Sequence, residues 1–217
     1  MNIQYYGDFC FKLTTKPGGR ATDDVVVVFD PCEKDSGLRA PQGQADITLK
    51  THTSEKDRDL ATADTVLLDC PGEYDVRGVS IIGFPSFRDG ESGSIRGKNT
   101  VFVVQSEDMT LCHVGALGHE TSSSLIEKIG HVDVLFVPVG NKDTLDVRRI
   151  DELVRKIEPA LVIPMHYRMA GFETDIEDEQ AFCREIGNCP ETALSKLTLK
   201  KKDIEGKSME VVLLERA

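Results

Sequence analysis

Three of the five histidines follow directly on apolar segments of the kind that form β-strands. His52 follows ITLKT, His113 follows MTLC and His166 follows LVIPM. Because the carboxyl ends of strands in open α/β proteins meet at one edge, we expect these three side chains to share a pocket. Imidazole is a common ligand of zinc and iron. The spacing therefore predicts a metal site, and the alternative for each histidine is a packed or solvent-facing residue at a strand end.

Carboxylates near the first histidine and near the N-terminus could add oxygen ligands for a single ion. They are Asp57 and Glu55, which follow His52, and Asp8. The alternative for all three is a solvated loop surface. Cys112 precedes His113 on the same strand and should point to the opposite face, so it is not expected to bind a metal.

The elements that position these residues are mainly strands in the first half of the chain. Seven segments rich in β-branched or aromatic residues are bounded by Gly, Pro, Asp or Asn, which is typical of strands. They are 9–13, 24–30, 46–51, 65–69, 79–84, 100–106 and 109–114. The Gly- and Ser-rich segment 85–99 between two of them is expected to be a mobile loop.

Helices and buried strands alternate in the second half. Apolar residues at helical spacing predict helices over 121–130, 146–157 and 177–186, with Asp146 as the N-cap of the second. The short apolar runs 132–140 and 160–167 are typical of buried strands, and two more strands are expected in the C-terminal tail. The order of elements favours a layered α/β sandwich with the helices on its outer faces.

Composition excludes several classes of function. The 217 residues include 26 basic and 37 acidic side chains, a formal charge of −11, which argues against nucleic acid as a partner. No apolar run reaches the roughly 20 residues that a membrane helix needs, and the N-terminus has no signal-peptide pattern, so a cytoplasmic protein is expected. Six scattered cysteines without a CxxC pair are expected to be reduced and mostly packed thiols, not a disulfide framework.

Seven motifs, in order and spacing, resemble those of the metallo-β-lactamase superfamily, in particular its small zinc-dependent hydrolases of the ascorbate-6-phosphate lactonase type. They are GDFCF (7–11), VVFDPC (27–32), ADITLKTH (45–52), CPGEYDVRGVSI (70–81), CHVGALG (112–118), VDVLFVPVG (132–140) and VIPMHY (162–167). The resemblance covers nearly the whole chain. It implies one domain over 1–217, a four-layer αββα sandwich of two mixed β-sheets, with a site at one edge of the sheets.

The ligand motif departs from the pattern of this family. The family run H-x-H-x-D-H reads H-T-S-E-K-D from His52, so Ser54, Lys56 and Asp57 replace three ligand residues. Ala116 stands where the H-x-G-D motif has the aspartate that bridges two metals. The resemblance implies that His52, His113 and His166 keep ligand positions, the first two for one ion and the last for the other. A Lys56 ammonium in that pocket would repel a dication by several kcal/mol at short range.

These substitutions favour a hydrolase-like protein that has lost the dinuclear metal centre. One alternative is an active hydrolase of an ester, lactone or phosphodiester with a single divalent ion, Zn or Mn, held by His52, His113 and His166 with Asp57. A second alternative is a binding or assembly module that holds no metal. No catalytic residue is assigned. A small-molecule ligand and a homo-oligomer are compatible with each alternative.

Overall fold

Two mixed β-sheets face each other across one hydrophobic core. The computed structural model describes residues 1–18, 23–53, 64–172 and 174–217. Phe11 on one sheet and Phe136 on the other meet in the core, with 4.6 Å between their ring centroids. The predicted sandwich of two mixed sheets is therefore confirmed.

The first sheet has six strands in the spatial order β12, β1, β2, β3, β4, β5. Their bounds are Leu197–Thr198 (β12), Asn2–Gly7 (β1), Cys10–Thr15 (β2), Val25–Phe29 (β3), Ile47–Leu49 (β4) and Val66–Leu68 (β5). The pairs from β12 to β3 are antiparallel, whereas β3, β4 and β5 run parallel. The parallel strands send their carboxyl ends to one edge, where β4 leads towards His52.

The second sheet has seven strands in the order β13, β11, β10, β9, β8, β7, β6. Their bounds are Glu210–Val211 (β13), Leu161–Met165 (β11), Val134–Pro138 (β10), Met109–His113 (β9), Lys98–Ser106 (β8), Val79–Phe87 (β7) and Gly72–Val76 (β6). The strands β9, β10, β11 and β13 run parallel, and the remaining pairs are antiparallel. Every residue of β10 and β11 is buried, as expected for parallel strands covered on both faces.

Three α-helices lie in the second half of the chain: α1 at Ser123–Ile129, α2 at Val147–Ile157 and α3 at Gln180–Ile186. A short 3₁₀-helix follows at Lys201–Asp203. The predicted Asp146 N-cap is confirmed, since its carboxylate accepts the Arg149 backbone N–H at 3.0 Å. The buried face of α2 carries Ile150, Leu153, Val154 and Ile157. None of the helices in the described ranges combines the length and apolar character of a membrane span.

The sequence patterns predicted most of the helices and strands and missed two strands. The missed strands are β1, with the sequence NIQYYG, and β6, with GEYDV, in which polar or small residues weaken the strand signal. Both strands are fixed by pairing with a neighbour, β1 with β2 and β6 with β7. Long-range pairing therefore overrides weak local propensity at these positions.

The segment predicted as a mobile loop over 85–99 is shorter and more ordered than expected. β7 extends to Phe87, and β8 begins at Lys98. Between them, the buried Asp89 carboxylate accepts four backbone N–H groups, those of residues 91, 93, 95 and 96, at 2.6–3.1 Å. These bonds lower the pKa of Asp89, with the Arg96 N–H as the largest cause.

The prediction that all six cysteines are reduced is wrong for two of them. Cys183 in α3 and Cys189 after it form a disulfide, with their Cα atoms 5.2 Å apart. Sequence spacing alone does not show that the end of α3 turns back far enough to bring these two residues together. The other four cysteines are free, and Cys112 is buried, which raises its pKa to about 12.

Candidate functional site

The three predicted histidines come together around Phe9, in the turn between β1 and β2. The Phe9 ring stacks on His166 with 4.2 Å between centroids and meets His52 edge-on at 5.2 Å. The Phe9 carbonyl lies 3.0 Å from His113 Nε2. We call this group, His52, His113, His166, Phe9 and Asp8, the strand-end site. Its histidines surround an aromatic side chain.

Both ring nitrogens of His113 are bonded to the main chain. Nε2 donates its hydrogen to the Phe9 carbonyl, and Nδ1 accepts the Gly115 N–H at 3.2 Å. The ring is fully buried and stacks on Phe29 with 4.9 Å between centroids. A metal bond to either nitrogen would therefore require one of these hydrogen bonds to break.

His52 is held through Thr51 and Asp30. Asp30 follows β3, and its two carboxylate oxygens accept the Thr51 backbone N–H at 2.7 Å and the Thr51 hydroxyl at 2.6 Å. Because the hydroxyl hydrogen goes to Asp30, the Thr51 oxygen accepts from His52 Nδ1 at 2.9 Å. This assignment leaves His52 Nε2 with an unprotonated lone pair.

His166 is held by Asp8 in a comparable way. The Asp8 carboxylate accepts from His166 Nδ1 at 2.6 Å, and the His166 backbone N–H donates to the Asp8 carbonyl at 2.8 Å. Both residues have positive φ angles, 55° for Asp8 and 50° for His166. His166 Nε2 is buried and has no hydrogen-bond partner among the described residues. An unpaired buried nitrogen of this kind calls for a ligand, an ion or a water.

Burial keeps two of the three histidines neutral. It lowers the pKa of His113 to about 3, against a smaller opposing effect of the hydrogen bond to Phe9. The pKa of His52 is also lowered to about 3, first by burial and then by the charges of Arg88, His166, His113 and Lys50.

A small cavity of about 20 Å³ opens beside His52. It has room for about one water molecule. Three carboxylates contribute to its wall, and two of them, Asp8 and Asp30, are already bonded to His166 and Thr51. The full lining is Asp8, Phe9, Asp30, Pro31, Glu33, Lys50 and His52.

The described residues do not fit a dinuclear metal centre. Ala116, at the position of the bridging carboxylate, is buried, and its N–H donates to the Asn99 side chain at 2.9 Å. Across the ranges that the structure describes, no three His, Cys, Asp or Glu side chains are placed to hold one ion. Ser54, Glu55, Lys56 and Asp57 lie outside the described residues. The assignment of His52, His113 and His166, with Asp57, as metal ligands stays a prediction.

Sequence reasoning missed two residues that shape this site. Phe9 lies in GDFCF, where its position directly after Asp8 is the only signal. Arg88 follows β7, and its positive charge adds to burial in lowering the pKa of His52. Arg88 stands in a segment expected to be an ordinary loop, so only the folded arrangement shows that it belongs near the site.

Known proteins share this fold and sequence pattern. Residues 2–166 match Lactamase_B_3, the Beta-lactamase superfamily domain. A UPF0173 metal-dependent hydrolase of Methanopyrus kandleri is 29% identical over 120 residues, which are 53% of this chain and 51% of that protein. The matched part therefore spans about half the length of that relative. A UPF0173 metal-dependent hydrolase of Salinibacter ruber is 24% identical over 89% of this chain and 99% of its own length.

A solved structure extends the likeness to the whole chain. It is a Thermotoga maritima protein described as a Zn-dependent hydrolase of the metallo-β-lactamase superfamily, 27% identical, with a TM-score of 0.75. The superposition covers 99% of this chain and 98% of the other. The family match over residues 2–166, the two facing mixed sheets and the site at the strand ends show that this chain belongs to the metallo-β-lactamase superfamily.

Proposed function

We propose that this chain is a hydrolase-like member of the superfamily that does not assemble the dinuclear metal centre. One observation carries the proposal: the histidines of the strand-end site bond to the main chain or surround Phe9, and no three His, Cys, Asp or Glu side chains of the described ranges are placed to hold one ion. A two-metal hydrolytic site needs several converging ligands and a carboxylate that spans both ions.

The environment of Ala116 supports this proposal. Gly115 beside it has a φ of 62°, and a Cβ at that position would lie 2.5 Å from the Asn99 side-chain oxygen. The Asn99 amide also donates to Ser86 Oγ at 2.7 Å and to the Val114 carbonyl at 2.9 Å. A neutral, fully bonded network thus lies around the position where the family motif has a carboxylate.

A second candidate function is hydrolysis with a single divalent ion. The orientation of His52 and His166 favours it, since each directs its Nδ1 at an oxygen, and His166 Nε2 is buried without a hydrogen-bond partner among the described residues. A histidine held in this way by a carboxylate is typical of metal ligands. When bound, such an ion supplies Lewis-acid polarisation of a carbonyl or phosphoryl oxygen. The substrate would be an ester, a lactone or a phosphodiester, and Asp57 would complete the ligands.

The test is the number of metal ions per chain. The purified protein is incubated with Zn²⁺ or Mn²⁺ in excess, desalted and measured by elemental analysis. Fewer than two ions per chain are expected, because the two sets of ligands are incomplete. His166→Gln and the exposed His131→Gln serve as a matched pair of variants.

The number of ions bound per chain distinguishes the candidate functions. Two ions per chain would contradict the proposal. One ion, lost in His166→Gln and retained in His131→Gln, would support the single-ion hydrolase. A value near zero for the natural chain would favour a binding or assembly module.

A further inference from the structure

A polar cleft lies between the loop after β10, the segment after β11 and helix α3. The loop contributes Gly140 to its lining, the segment after β11 contributes Arg168 and Glu177, and α3 contributes Arg184. Its volume is about 470 Å³, within the range of roughly 300–1,000 Å³ that small-molecule sites occupy. The strands β10 and β11 are parallel, and ligands of α/β proteins bind beyond the carboxyl ends of such strands. We call this feature the α3 cleft.

Backbone contacts fix the walls of the α3 cleft. The Glu177 N–H donates to the Gly140 carbonyl at 2.9 Å, and the Arg168 N–H donates to the Glu177 carbonyl at 2.8 Å. A Cβ at Gly140 would lie 2.3 Å from the His166 carbonyl oxygen, so glycine allows this close approach of the two chain segments. The helix that carries Arg184 is held by its disulfide. A ligand would therefore meet walls that are already ordered.

The charges that line the α3 cleft are balanced, and most of them are paired. The three cations are Lys142, Arg168 and Arg184, and the three carboxylates are Asp175, Glu177 and Asp178. Two ion pairs join four of these groups: Lys142 with Asp175 at 3.2 Å and Arg168 with Asp178 at 3.3 Å. The lining as a whole therefore favours neither a net anion nor a net cation.

One charge of each sign is left over. Within the parts of the chain that the structure describes, Arg184 has no carboxylate partner. Glu177 has no cationic partner there either, since its carboxylate accepts only from the neutral Asn141 side-chain amide at 3.2 Å. Arg184 and Glu177 line the same cleft without forming an ion pair with each other. A ligand that satisfies both must carry a negative and a positive group.

We infer that the α3 cleft binds a small zwitterion, a free amino acid or a short peptide. The ligand carboxylate accepts two parallel hydrogen bonds from the planar Arg184 guanidinium, and the ligand ammonium donates to the Glu177 carboxylate. A simple anion would be repelled by Glu177, and a simple cation by Arg184. Binding uses no metal and none of the three histidines, so this inference goes beyond the proposed function.

The experiment uses the full chain with its disulfide intact, treated with chelator and shown by elemental analysis to hold no metal. The probes are the twenty common L-amino acids and glycylglycine, screened by melting temperature and then by calorimetric titration. At least one of them should raise the melting temperature in a saturable way, because a ligand that binds only the folded chain stabilises it. Stronger binding of glycylglycine than of any amino acid would identify the longer charge spacing of a peptide.

Analogues of the strongest probe test the two charges separately. Its N-acetyl derivative lacks the ammonium, and its amide lacks the carboxylate. Each should bind about tenfold more weakly than the zwitterion, because one charge-assisted hydrogen-bonding partner is lost.

Variants test the two residues. Arg184→Gln and Glu177→Gln should each weaken binding about tenfold, and both should fold as the natural chain does because these side chains are exposed. The matched controls are Arg148→Gln, on the exposed face of α2, and Glu185→Gln, exposed on α3 and outside the lining. Both controls should bind the probe as tightly as the natural chain.

Three results would overturn the inference. The first is a melting temperature that no amino acid and no glycylglycine raises. The second is equal binding in the natural chain and in Arg184→Gln or Glu177→Gln. The third is an N-acetyl derivative or an amide that binds as tightly as the zwitterion, since the cleft would then recognise a single charge.

Discussion

The three histidines of the strand-end site look equivalent in the sequence, and their hydrogen bonds make them chemically different. His113 carries its hydrogen on Nε2 and is satisfied by the backbone at both nitrogens. His52 and His166 bond instead through Nδ1, to the Thr51 hydroxyl oxygen and to the Asp8 carboxylate. The tautomer of each ring follows from its hydrogen-bond partners, so residue type alone does not define a ligand.

The buried His113 should make stability depend on pH. Its pKa is about 3 in the folded chain against 6.5 for an ordinary histidine, so the unfolded chain binds a proton first as the pH falls. The free energy of unfolding should therefore decrease between pH 6.5 and about 3, on the order of 1 kcal/mol per pH unit for this residue. His113→Gln should show a shallower decrease in urea denaturation across this acidic range. Equal slopes in His113→Gln and the natural chain would contradict this account.

Phe9 should both stabilise the fold and keep two histidines apart. It is 4% exposed, so Phe9→Ala should lower the free energy of unfolding by about 3 kcal/mol in urea denaturation. The space released between His52 and His166 should also raise the amount of zinc retained after desalting.

Phe182→Ala is the control for this change, because Phe182 is fully buried in α3. The Phe182→Ala variant should lower the free energy of unfolding by a similar amount, and it should retain no more zinc than the natural chain. A gain in zinc in both variants would show that loosened packing, and not the position of Phe9, controls metal uptake.

At the scale of elements, the strand-end site is positioned by the turn between β1 and β2 and by the ends of β4, β9 and β11. Helix α3, in contrast, is held by a disulfide. The Cys183–Cys189 disulfide closes a short loop over the end of this helix, with a sequence separation of 6 residues. A helix of seven residues has little stability of its own, so the link and the packing against α2 hold it in place.

Removal of this disulfide should destabilise the chain by about 2 kcal/mol, the value expected for a loop of this length from chain entropy. The double variant Cys183→Ser with Cys189→Ser is compared with the natural chain by thermal unfolding under oxidising conditions. A reducing agent should lower the melting temperature of the natural chain and leave that of the double variant unchanged. Cys70→Ser, which changes an exposed free thiol, should behave as the natural chain in both conditions.

At the scale of the whole molecule, the sandwich supports the metal chemistry of the superfamily only where the ligands are present. The variant with Ser54→His, Lys56→Asp, Asp57→His and Ala116→Asp restores the ligand types of the family. It should retain more Zn²⁺ or Mn²⁺ per chain than the natural protein in elemental analysis. Because Ala116 is buried, a carboxylate introduced there should make the metal-free variant unfold at a lower temperature, and added metal should restore its stability.

The natural chain with only Ala116→Asp is the control for this variant. It should lose stability through the buried charge and gain little metal, since the other three positions stay unchanged. Two ions bound per chain in both the natural protein and the four-residue variant would show that the interpretation of the ligand motif is wrong.

The sequence by itself determined the sandwich, the buried parallel strands and the Asp146 cap, because these depend on local pattern: apolar runs such as LVIPM and a capping side chain next to a helix. It also placed His52, His113 and His166 at strand ends. Only the tertiary structure decided that they surround Phe9, that Asp8 holds His166, that Arg88 acts on His52, and that Cys183 meets Cys189. These contacts depend on where separate segments meet and on the rotamer of each side chain. The spacing of apolar residues along the chain contains no information on either.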